Sequence, residues 1–212
     1  MKIMIDLDST VADLMTDWLG AINKDWREKA GFEYTLDMVK TWNVGAHHPA
    51  GNAVFDYLAK PNLFRNLKPF PHALDVLSKS YLRGDTHYIV TDAVSAAAQQ
   101  CQAEKLAWIN QHMPWVQLPN IYIIHKGDPW DKTSLVAKLK PDIVIEDGPH
   151  HIESIAQIEK FMPQILTIGY EYNRHVADYC ERSFHLSNTS TISVKLGVLL
   201  RNTLFRRHTN DA

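Results

Sequence analysis

The stretch KIMIDLDST, residues 2–10, joins an apolar run to a polar end. The run from Lys2 to Leu7 predicts a buried strand, and the polar Asp8-Ser9-Thr10 that follows predicts that this strand ends at a surface. Asp6 lies inside the apolar run, where an ionised carboxylate is costly unless a cation or several hydrogen bonds compensate it. We therefore expect Asp6 to have a functional role.

Strand and helix patterns alternate along the rest of the chain. Apolar positions from Val11 to Ile22 recur at helical spacing and predict a helix that Ser9 or Thr10 caps and Gly31 closes. Similar patterns predict strands over 87–91, 121–124, 143–145 and 165–168, and helices over 73–82, 95–109 (capped by Ser95), 132–139, 150–162 and 193–205. Such alternation implies parallel strands joined by right-handed crossovers. We predict an α/β fold with a Rossmann-like, doubly wound parallel sheet.

Residues 32–71 interrupt this alternation. The segment has no convincing strand pattern, is rich in aromatic residues and is punctuated by Pro and Gly. It therefore predicts a small helical insertion after the first strand. We expect one domain made of residues 1–12 and 72–212, and an inserted domain made of residues 13–71.

Composition narrows the class of protein. The 212 residues carry 22 Lys and Arg against 24 Asp and Glu, so no basic excess favours binding to long nucleic acid. No apolar stretch reaches the roughly 18 residues that a membrane span needs. Cys101 and Cys180 have no zinc or redox spacing, which predicts two reduced thiols. We expect a cytoplasmic protein, a monomer or a homodimer, that acts on a small molecule.

Polar side chains follow the ends of the predicted strands or open the helix before one. They are Asp6, Asp8, Thr91, Lys132, Glu146 and Asp147. Because parallel sheets bind ligands at the carboxyl ends of their strands, we expect these groups to meet in one pocket. An all-oxygen site with few protein ligands suits Mg²⁺ and a phosphate. One carboxylate would then attack phosphorus and a second would exchange protons, while the cation, Lys and Thr would neutralise the phosphoryl oxygens.

The pattern D-L-D-S-T at Asp6 to Thr10, with Thr91, Lys132 in D-K-T and the Glu146-Asp147 pair, resembles in order the four motifs of the haloacid dehalogenase (HAD) superfamily of phosphohydrolases. This resemblance implies that Asp6 is the nucleophile that forms an aspartyl-phosphate, and that Asp8 is the general acid and base. It also implies that Thr91 and Lys132 bind the phosphoryl group. Mg²⁺ would be held by Asp6, the backbone carbonyl of Asp8, and Asp147. The insertion resembles the C1-type cap of the superfamily.

Within the superfamily, the short N-terminus, the small cap and the D-K-T and E-D-G-P patterns resemble the 5'(3')-deoxyribonucleotidases, the cytosolic type C 5'-nucleotidases. This implies (deoxy)nucleoside monophosphates as substrates. The sequence departs from that group where Asp92 follows Thr91 and where Glu146 replaces the first Asp of a D-D pair. The backbone N–H of Asp92 could still bind the phosphate, provided that its carboxylate points away.

Selectivity for the leaving group is expected to come from the insertion. Its aromatic residues Trp42, Phe55, Tyr57 and Phe64 could stack on a nucleobase or form the core of the cap, and Trp42 is the preferred candidate for stacking. The pairs His47-His48 and His150-His151 are expected to be loop or surface residues, because adjacent side chains point apart. Arg201, Arg206 and Arg207 are expected to form a solvated helix end.

Two alternatives remain open at this stage. The chain could be a HAD phosphatase or phosphomutase that acts on another small phosphometabolite. A receiver-like signalling domain also gathers carboxylates, Thr and Lys around Mg²⁺, although it is normally shorter and has no insertion after its first strand.

Overall fold

The computed structural model describes residues 1–70, 72–158, 163–180 and 182–185. Its sheet has six strands in the order β3-β2-β1-β4-β5-β6, and every neighbouring pair is parallel. The strands are β1 (Lys2–Ile5), β2 (Thr86–Asp92), β3 (Ile121–Ile124), β4 (Ile143–Ile145), β5 (Gln164–Gly169) and β6 (Arg182–His185). The order reverses beside β1, so the carboxyl end of β1 lies at the point where such sheets bind ligands.

The connections between strands are helical. The α-helices are α1 (Leu14–Ala30), α2 (Leu63–Asn66), α3 (Ala73–Leu82), α4 (Ala98–His112), α5 (Lys132–Leu139) and α6 (Pro149–Ala156). Short 3₁₀ helices occupy Leu36–Met38, Val44–His47, Gly51–Ala59, Ser95–Ala97, Leu118–Asn120 and Glu171–Tyr179. The α/β fold with a doubly wound parallel sheet is therefore confirmed.

The insertion between β1 and α3 contains α1, three 3₁₀ helices and α2, and none of its described residues belongs to a strand. Apolar side chains from the insertion, among them Trp18 and Tyr34, pack in one cluster with Ile3 and Ile5 of β1. The division into residues 13–71 and the remainder stays a prediction.

Several local predictions were wrong. Helix α1 is capped by Asp13, whose side chain accepts from the N–H of Thr16, rather than by Ser9 or Thr10, because the chain turns sharply after Asp8 before the helix begins. Ser95 does not cap α4: it opens a 3₁₀ turn, and the cap position is Ala97. Strand β6 was not predicted, since its four residues RSFH have no apolar run.

Other predictions agree with the structure or fall outside it. Gly31 ends α1 in the left-handed conformation, as expected of a helix-closing glycine. Both cysteines are free thiols. The helix predicted over 150–162 ends earlier, at Ala156, with Gln157 at its C-cap. The predicted helix over 193–205 and the basic residues Arg201, Arg206 and Arg207 lie outside the described residues. Among the helices described, none is long and apolar enough to cross a membrane.

Candidate active site

The loop after β1 positions two carboxylates at the carboxyl end of the sheet. The N–H groups of Val11 and Ala12 both donate to the carbonyl of Leu7, which folds the chain back on itself. Ser9 has a φ of 55°, a left-handed conformation that costs a non-glycine residue free energy. The Tyr170 hydroxyl donates to the Ser9 carbonyl at 2.8 Å. This contact from another part of the fold helps to hold the turn in its strained form.

Asp6 is buried and ion-paired. The Lys132 ammonium, at the first turn of α5, lies 2.7 Å from Asp6 Oδ1 and 2.8 Å from Glu146 Oε2. Burial alone would lower the pKa of Lys132, but the charges of Asp6 and Glu146 outweigh it and hold that pKa well above its ordinary value. Lys132 therefore favours its ammonium form beside Asp6.

Glu146 has no free oxygen. Its Oε2 accepts from Lys132, and its Oε1 accepts from the backbone N–H groups of Asp147 and Gly148 at 3.1 and 2.9 Å. Because both oxygens are already occupied, Glu146 serves to hold Lys132 and the loop after β4. Glu146, which replaces the first Asp of the family's D-D pair, therefore has defined hydrogen-bond partners in this structure.

Asp147 lies beside Asp6 with one oxygen held firmly. The Tyr172 hydroxyl donates to Asp147 Oδ2 at 2.5 Å. Thr10 Oγ1 is 3.4 Å from Asp147 Oδ1 and 3.4 Å from Asp6 Oδ2. A hydroxyl has one proton and can donate it to only one of these two oxygens. At least one buried carboxylate oxygen is therefore left without a donor.

These oxygens fit a divalent cation. Carboxylate oxygens of Asp6, Glu146 and Asp147 lie within 4.8 Å of one another, all three residues being buried. Burial, followed by the charges of Asp6 and Glu146, raises the pKa of Asp147 well above its ordinary value. The Lys132 ammonium balances only part of the negative charge of these three carboxylates, and the candidate ligand atoms are all oxygen, as Mg²⁺ prefers. Glu146 lies in this cluster, but Lys132 and two backbone N–H groups already occupy its oxygens, so the open oxygens belong to Asp6 and Asp147. The part of Asp8 in metal binding, through its backbone carbonyl, stays a prediction.

The Asp8 carboxylate is engaged elsewhere. Lys105 of α4 places its ammonium 2.5 Å from Asp8 Oδ2 and 2.9 Å from the Thr91 hydroxyl. Burial raises the pKa of Asp8, and Lys105 only partly opposes this shift. Burial lowers the pKa of Lys105, but its neighbours, Asp8 first among them, together outweigh burial, so that the net shift is upward. The structure thus brings Asp8 and Thr91 together through a lysine that the sequence analysis did not single out.

Asp92 does not point away from the site. Its carboxylate lies 3.0 Å from His151 Nε2 and 3.6 Å from the Lys132 ammonium. Burial opposes ionisation, but the His151 hydrogen bond and the Lys132 charge lower the pKa of Asp92 below its usual range. Two partners thus compensate its negative charge beside the proposed phosphate position. The expectation that His151 is a loop or surface residue was wrong, because it lies on α6 with its side chain only 17% exposed. His48 does lie in a loop, although it is buried.

A cavity of about 190 Å³ opens above these groups. One end is lined by the polar strand-end residues and the other by apolar side chains from the insertion, namely Leu14, Met15, Trp18, Trp42, Val44, Phe55, Leu58 and Phe64. Trp42 is 48% exposed and lies against His150 and Tyr172 rather than inside the core. Tyr57 does not line the cavity, and its hydroxyl donates to Asp25.

Three residues of this site were not predicted from the sequence. Lys105 interrupts an apolar helical stripe of Cys101, Trp108 and Ile109, and a charge in such a stripe is a signal that could have been used. Tyr172 and His151 carry no comparable signal, because their role depends on how two separate segments meet.

The family model described as 5' nucleotidase, deoxy (pyrimidine), cytosolic type C protein matches residues 1–195. The chain belongs to this family. Membership confirms the predicted class of enzyme, a hydrolase of phosphoric monoesters, and rules out the receiver-like alternative.

Individual relatives agree with this family. A 5'(3')-deoxyribonucleotidase of Bacillus subtilis is 28% identical over 152 residues, which cover 72% of this chain and 78% of that protein. One from Clostridium acetobutylicum is 28% identical over 159 residues, covering 71% and 74%.

Solved structures show the same fold at low identity. A haloacid dehalogenase-like hydrolase from Streptococcus pneumoniae superposes with a TM-score of 0.52 at 17% identity, covering 87% of this chain and 93% of that one. A family IA HAD hydrolase from Entamoeba histolytica gives 0.53 at 13%, covering 95% and 99%. These likenesses confirm the predicted HAD fold.

Proposed function

We propose that the protein is a Mg²⁺-dependent phosphomonoesterase that hydrolyses (deoxy)nucleoside monophosphates through an aspartyl-phosphate on Asp6. The observation that carries the proposal is the buried Asp6 carboxylate, paired with Lys132 at one oxygen and facing Asp147 at the other. A carboxylate in this setting is oriented by charge and shielded from bulk water. Both are conditions for a nucleophile.

The first half-reaction transfers the phosphoryl group to the protein. An Asp6 oxygen attacks phosphorus, the bond from phosphorus to the ester oxygen breaks, and Asp8 gives its proton to the departing alcohol. The raised pKa of Asp8 favours the protonated form that this step needs. Lys132 and Thr91 hold the phosphoryl oxygens as negative charge shifts among them.

The second half-reaction restores the protein. Water attacks the phosphorus of the aspartyl-phosphate and gives its proton to Asp8, and the bond to Asp6 breaks to release phosphate. Mg²⁺, held by Asp6, Asp147 and the Asp8 carbonyl, would supply positive charge for the phosphoryl oxygens. The carboxylates that would otherwise repel a phosphate dianion are then balanced.

Support for a nucleotide substrate comes from the family and from the cavity. Both relatives cited above are named 5'(3')-deoxyribonucleotidases. The apolar end of the cavity carries the aromatic rings of Trp18, Trp42, Phe55 and Phe64, on which a nucleobase could stack. The second candidate is a phosphatase that acts on another small phosphometabolite. The apolar lining of the cavity favours this candidate only where the leaving group of that metabolite is an apolar alcohol.

A substrate panel tests the proposal. Phosphate release is measured from 5'- and 3'-deoxynucleoside monophosphates, ribonucleoside monophosphates, glycerol phosphate and p-nitrophenyl phosphate, with Mg²⁺ and with excess EDTA. We expect the highest kcat/KM for nucleotides, and no turnover in EDTA. Acid quenching with radiolabelled substrate should trap labelled protein, and Asp6→Asn should abolish the label. Full activity in EDTA, or a labelled Asp6→Asn protein, would contradict the mechanism.

A further inference from the structure

Lys105 is a fully buried lysine for which the proposed reaction has no step. Its side chain has no exposed surface. The ammonium donates to Asp8 Oδ2, to the Thr91 hydroxyl and to the backbone carbonyl of Asp92. An ammonium has three protons, so these three acceptors saturate it. A buried lysine with every proton committed is held in one position.

The contacts of Lys105 leave the two oxygens of Asp8 in different states. Oδ2 is held by Lys105, whereas Oδ1 is buried and has no hydrogen-bond partner among the described residues. An unpaired buried oxygen is costly in a folded protein and needs an explanation. In the proposed reaction, Asp8 exchanges a proton with the leaving-group oxygen, and only Oδ1 is free to do so.

We propose that Lys105 is a positioning residue for the acid–base step: it fixes Asp8 by Oδ2 and leaves Oδ1, which has no donor among the described residues, to carry the proton that Asp8 exchanges with the leaving group. This inference rests on the proposed function of Asp8. Lys105 itself touches neither phosphate nor leaving group in this scheme, since it does not line the cavity.

The neighbouring residue extends this arrangement to the insertion. Glu104 accepts from the backbone N–H groups of Asn62 and Phe64, at 2.6 and 3.0 Å, at the start of α2. The Phe64 ring lies 5.0 Å from the Lys105 ammonium and also lines the cavity. Two consecutive residues of α4 therefore act together: Lys105 holds the Asp8 carboxylate, and Glu104 holds the backbone of Phe64, whose ring covers Lys105. The ring keeps water from competing for the ammonium.

The test measures how rate depends on the leaving group. General acid catalysis matters most for a poor leaving group, so Asp8→Asn should slow a nucleoside monophosphate far more than p-nitrophenyl phosphate. Lys105→Met should show the same pattern: kcat for the nucleotide falls about 100-fold or more, kcat for p-nitrophenyl phosphate falls less than about tenfold, and KM changes little for both. Lys138→Met, an exposed lysine on α5, is the matched control and should leave both rates unchanged.

The double variant separates positioning from a general structural effect. If Lys105 acts through Asp8, then Asp8→Asn with Lys105→Met should be no slower than Asp8→Asn alone. Equal losses on both substrates, or losses that multiply in the double variant, would overturn the inference. If Lys105→Met does not fold, Lys105→Arg keeps the charge but changes the geometry, and its nucleotide-selective loss of kcat decides the question by the same criteria.

The outcomes distinguish this inference from the proposed function. A wild-type protein that hydrolyses no phosphomonoester, or an Asp8→Asn variant that is fully active, would contradict the proposed function. A slow Asp8→Asn variant together with a Lys105→Met variant of normal activity would contradict only the role of Lys105.

Discussion

Polar groups are buried at the amino ends of the strands, here called the amino edge, and at their carboxyl ends, here called the carboxyl edge. The hydrogen bonds of these groups are satisfied differently at the two places. At the amino edge of β2, the Ser80 hydroxyl donates to Asp85 Oδ2 at 2.6 Å and lies 3.2 Å from His87 Nε2. The indole N–H of Trp115 donates to His87 Nδ1. Arg83 lies 3.6 Å from Asp85. Each donor in this network faces an acceptor of the protein itself.

At the carboxyl edge, the described residues leave negative charge and acceptors unmatched. Five carboxylates, those of Asp6, Asp8, Asp92, Glu146 and Asp147, lie around the ammonium groups of Lys105 and Lys132. Asp8 Oδ1 has no partner, and Thr10 cannot serve Asp6 and Asp147 together. A buried network whose donors and acceptors all pair within the protein stabilises the fold, whereas a network that lacks cations and donors is suited to bind them from outside. Substitutions at the two edges should therefore have opposite effects.

The largest effect is expected from Asp6→Asn. The amide cannot act as the nucleophile, so kcat for a nucleoside monophosphate should fall about 10³-fold or more. The melting temperature without metal should not fall, because the change removes one of five crowded negative charges while the amide oxygen can still accept from Lys132. Steady-state kinetics and thermal unfolding in EDTA measure the two effects.

The matched substitution at the other edge is Asp85→Asn. Losing a charged acceptor for Ser80 and Arg83 should destabilise the protein by about 1 to 3 kcal/mol and leave kcat within about twofold of the wild type. The comparison fails if Asp6→Asn loses stability while remaining active, or if Asp85→Asn loses activity while keeping its melting temperature.

His87 should make the amino edge sensitive to acid. Ser80 donates to Asp85 and so accepts from His87 Nε2, while Trp115 donates to Nδ1, an arrangement that only the neutral imidazole permits. Burial lowers the pKa of His87 from 6.5 to about 4. The unfolded chain then binds the proton first as pH falls, and up to about 3 kcal/mol of stability is lost between pH 6.5 and 4.

The free energy of unfolding measured against pH checks this prediction. His87→Gln should flatten the slope between pH 6.5 and 4 by up to one proton. His47→Gln, at an exposed position, should leave the slope as it is. An unchanged slope in His87→Gln would show that the acid sensitivity lies elsewhere.

Local patterns predicted the fold well because strands β1 to β5 are short apolar runs that end at polar residues. The same patterns located Asp6, Asp8, Thr91, Lys132 and Asp147 at strand ends or at a helix start, and the structure gathers all five at one cavity or beside it. Strand β6 escaped prediction because an edge strand without an apolar run has no periodic signal.

What the sequence could not provide is pairing between distant segments. Asp8 meets Lys105 across 97 positions, and Asp147 meets Tyr172 across 25. No periodicity relates such residues, and each pair forms only because crossover helices return to the same edge of the sheet. The predicted cap of α1 was wrong for a related reason. The turn that orients Asp8 delays the start of the helix until Leu14.

Asp147→Asn tests the unmatched charge at the carboxyl edge. The amide keeps the volume but loses the charge that attracts a divalent cation, so Mg²⁺ affinity should fall about 100-fold. Stability without metal should hold or rise, because burial and neighbouring carboxylates already disfavour the ionised Asp147. Asp56→Asn, an exposed aspartate of the insertion, is the control. Calorimetric titration with Mg²⁺ that shows unchanged affinity would exclude Asp147 as a ligand.

Trp42→Ala is expected to have the smallest effect and addresses the end of the cavity that contacts the leaving group. Because Trp42 is 48% exposed, its loss should cost little stability, unlike that of a core tryptophan. If its ring stacks on the nucleobase, kcat/KM for nucleoside monophosphates should fall about tenfold to a hundredfold, which is about 1 to 3 kcal/mol, while glycerol phosphate should be unaffected. Trp130 is 47% exposed and does not line the cavity, so Trp130→Ala should change neither substrate. Equal losses on both substrates would assign Trp42 to the packing against His150 and Tyr172, and selectivity would then depend on Phe55 and Phe64.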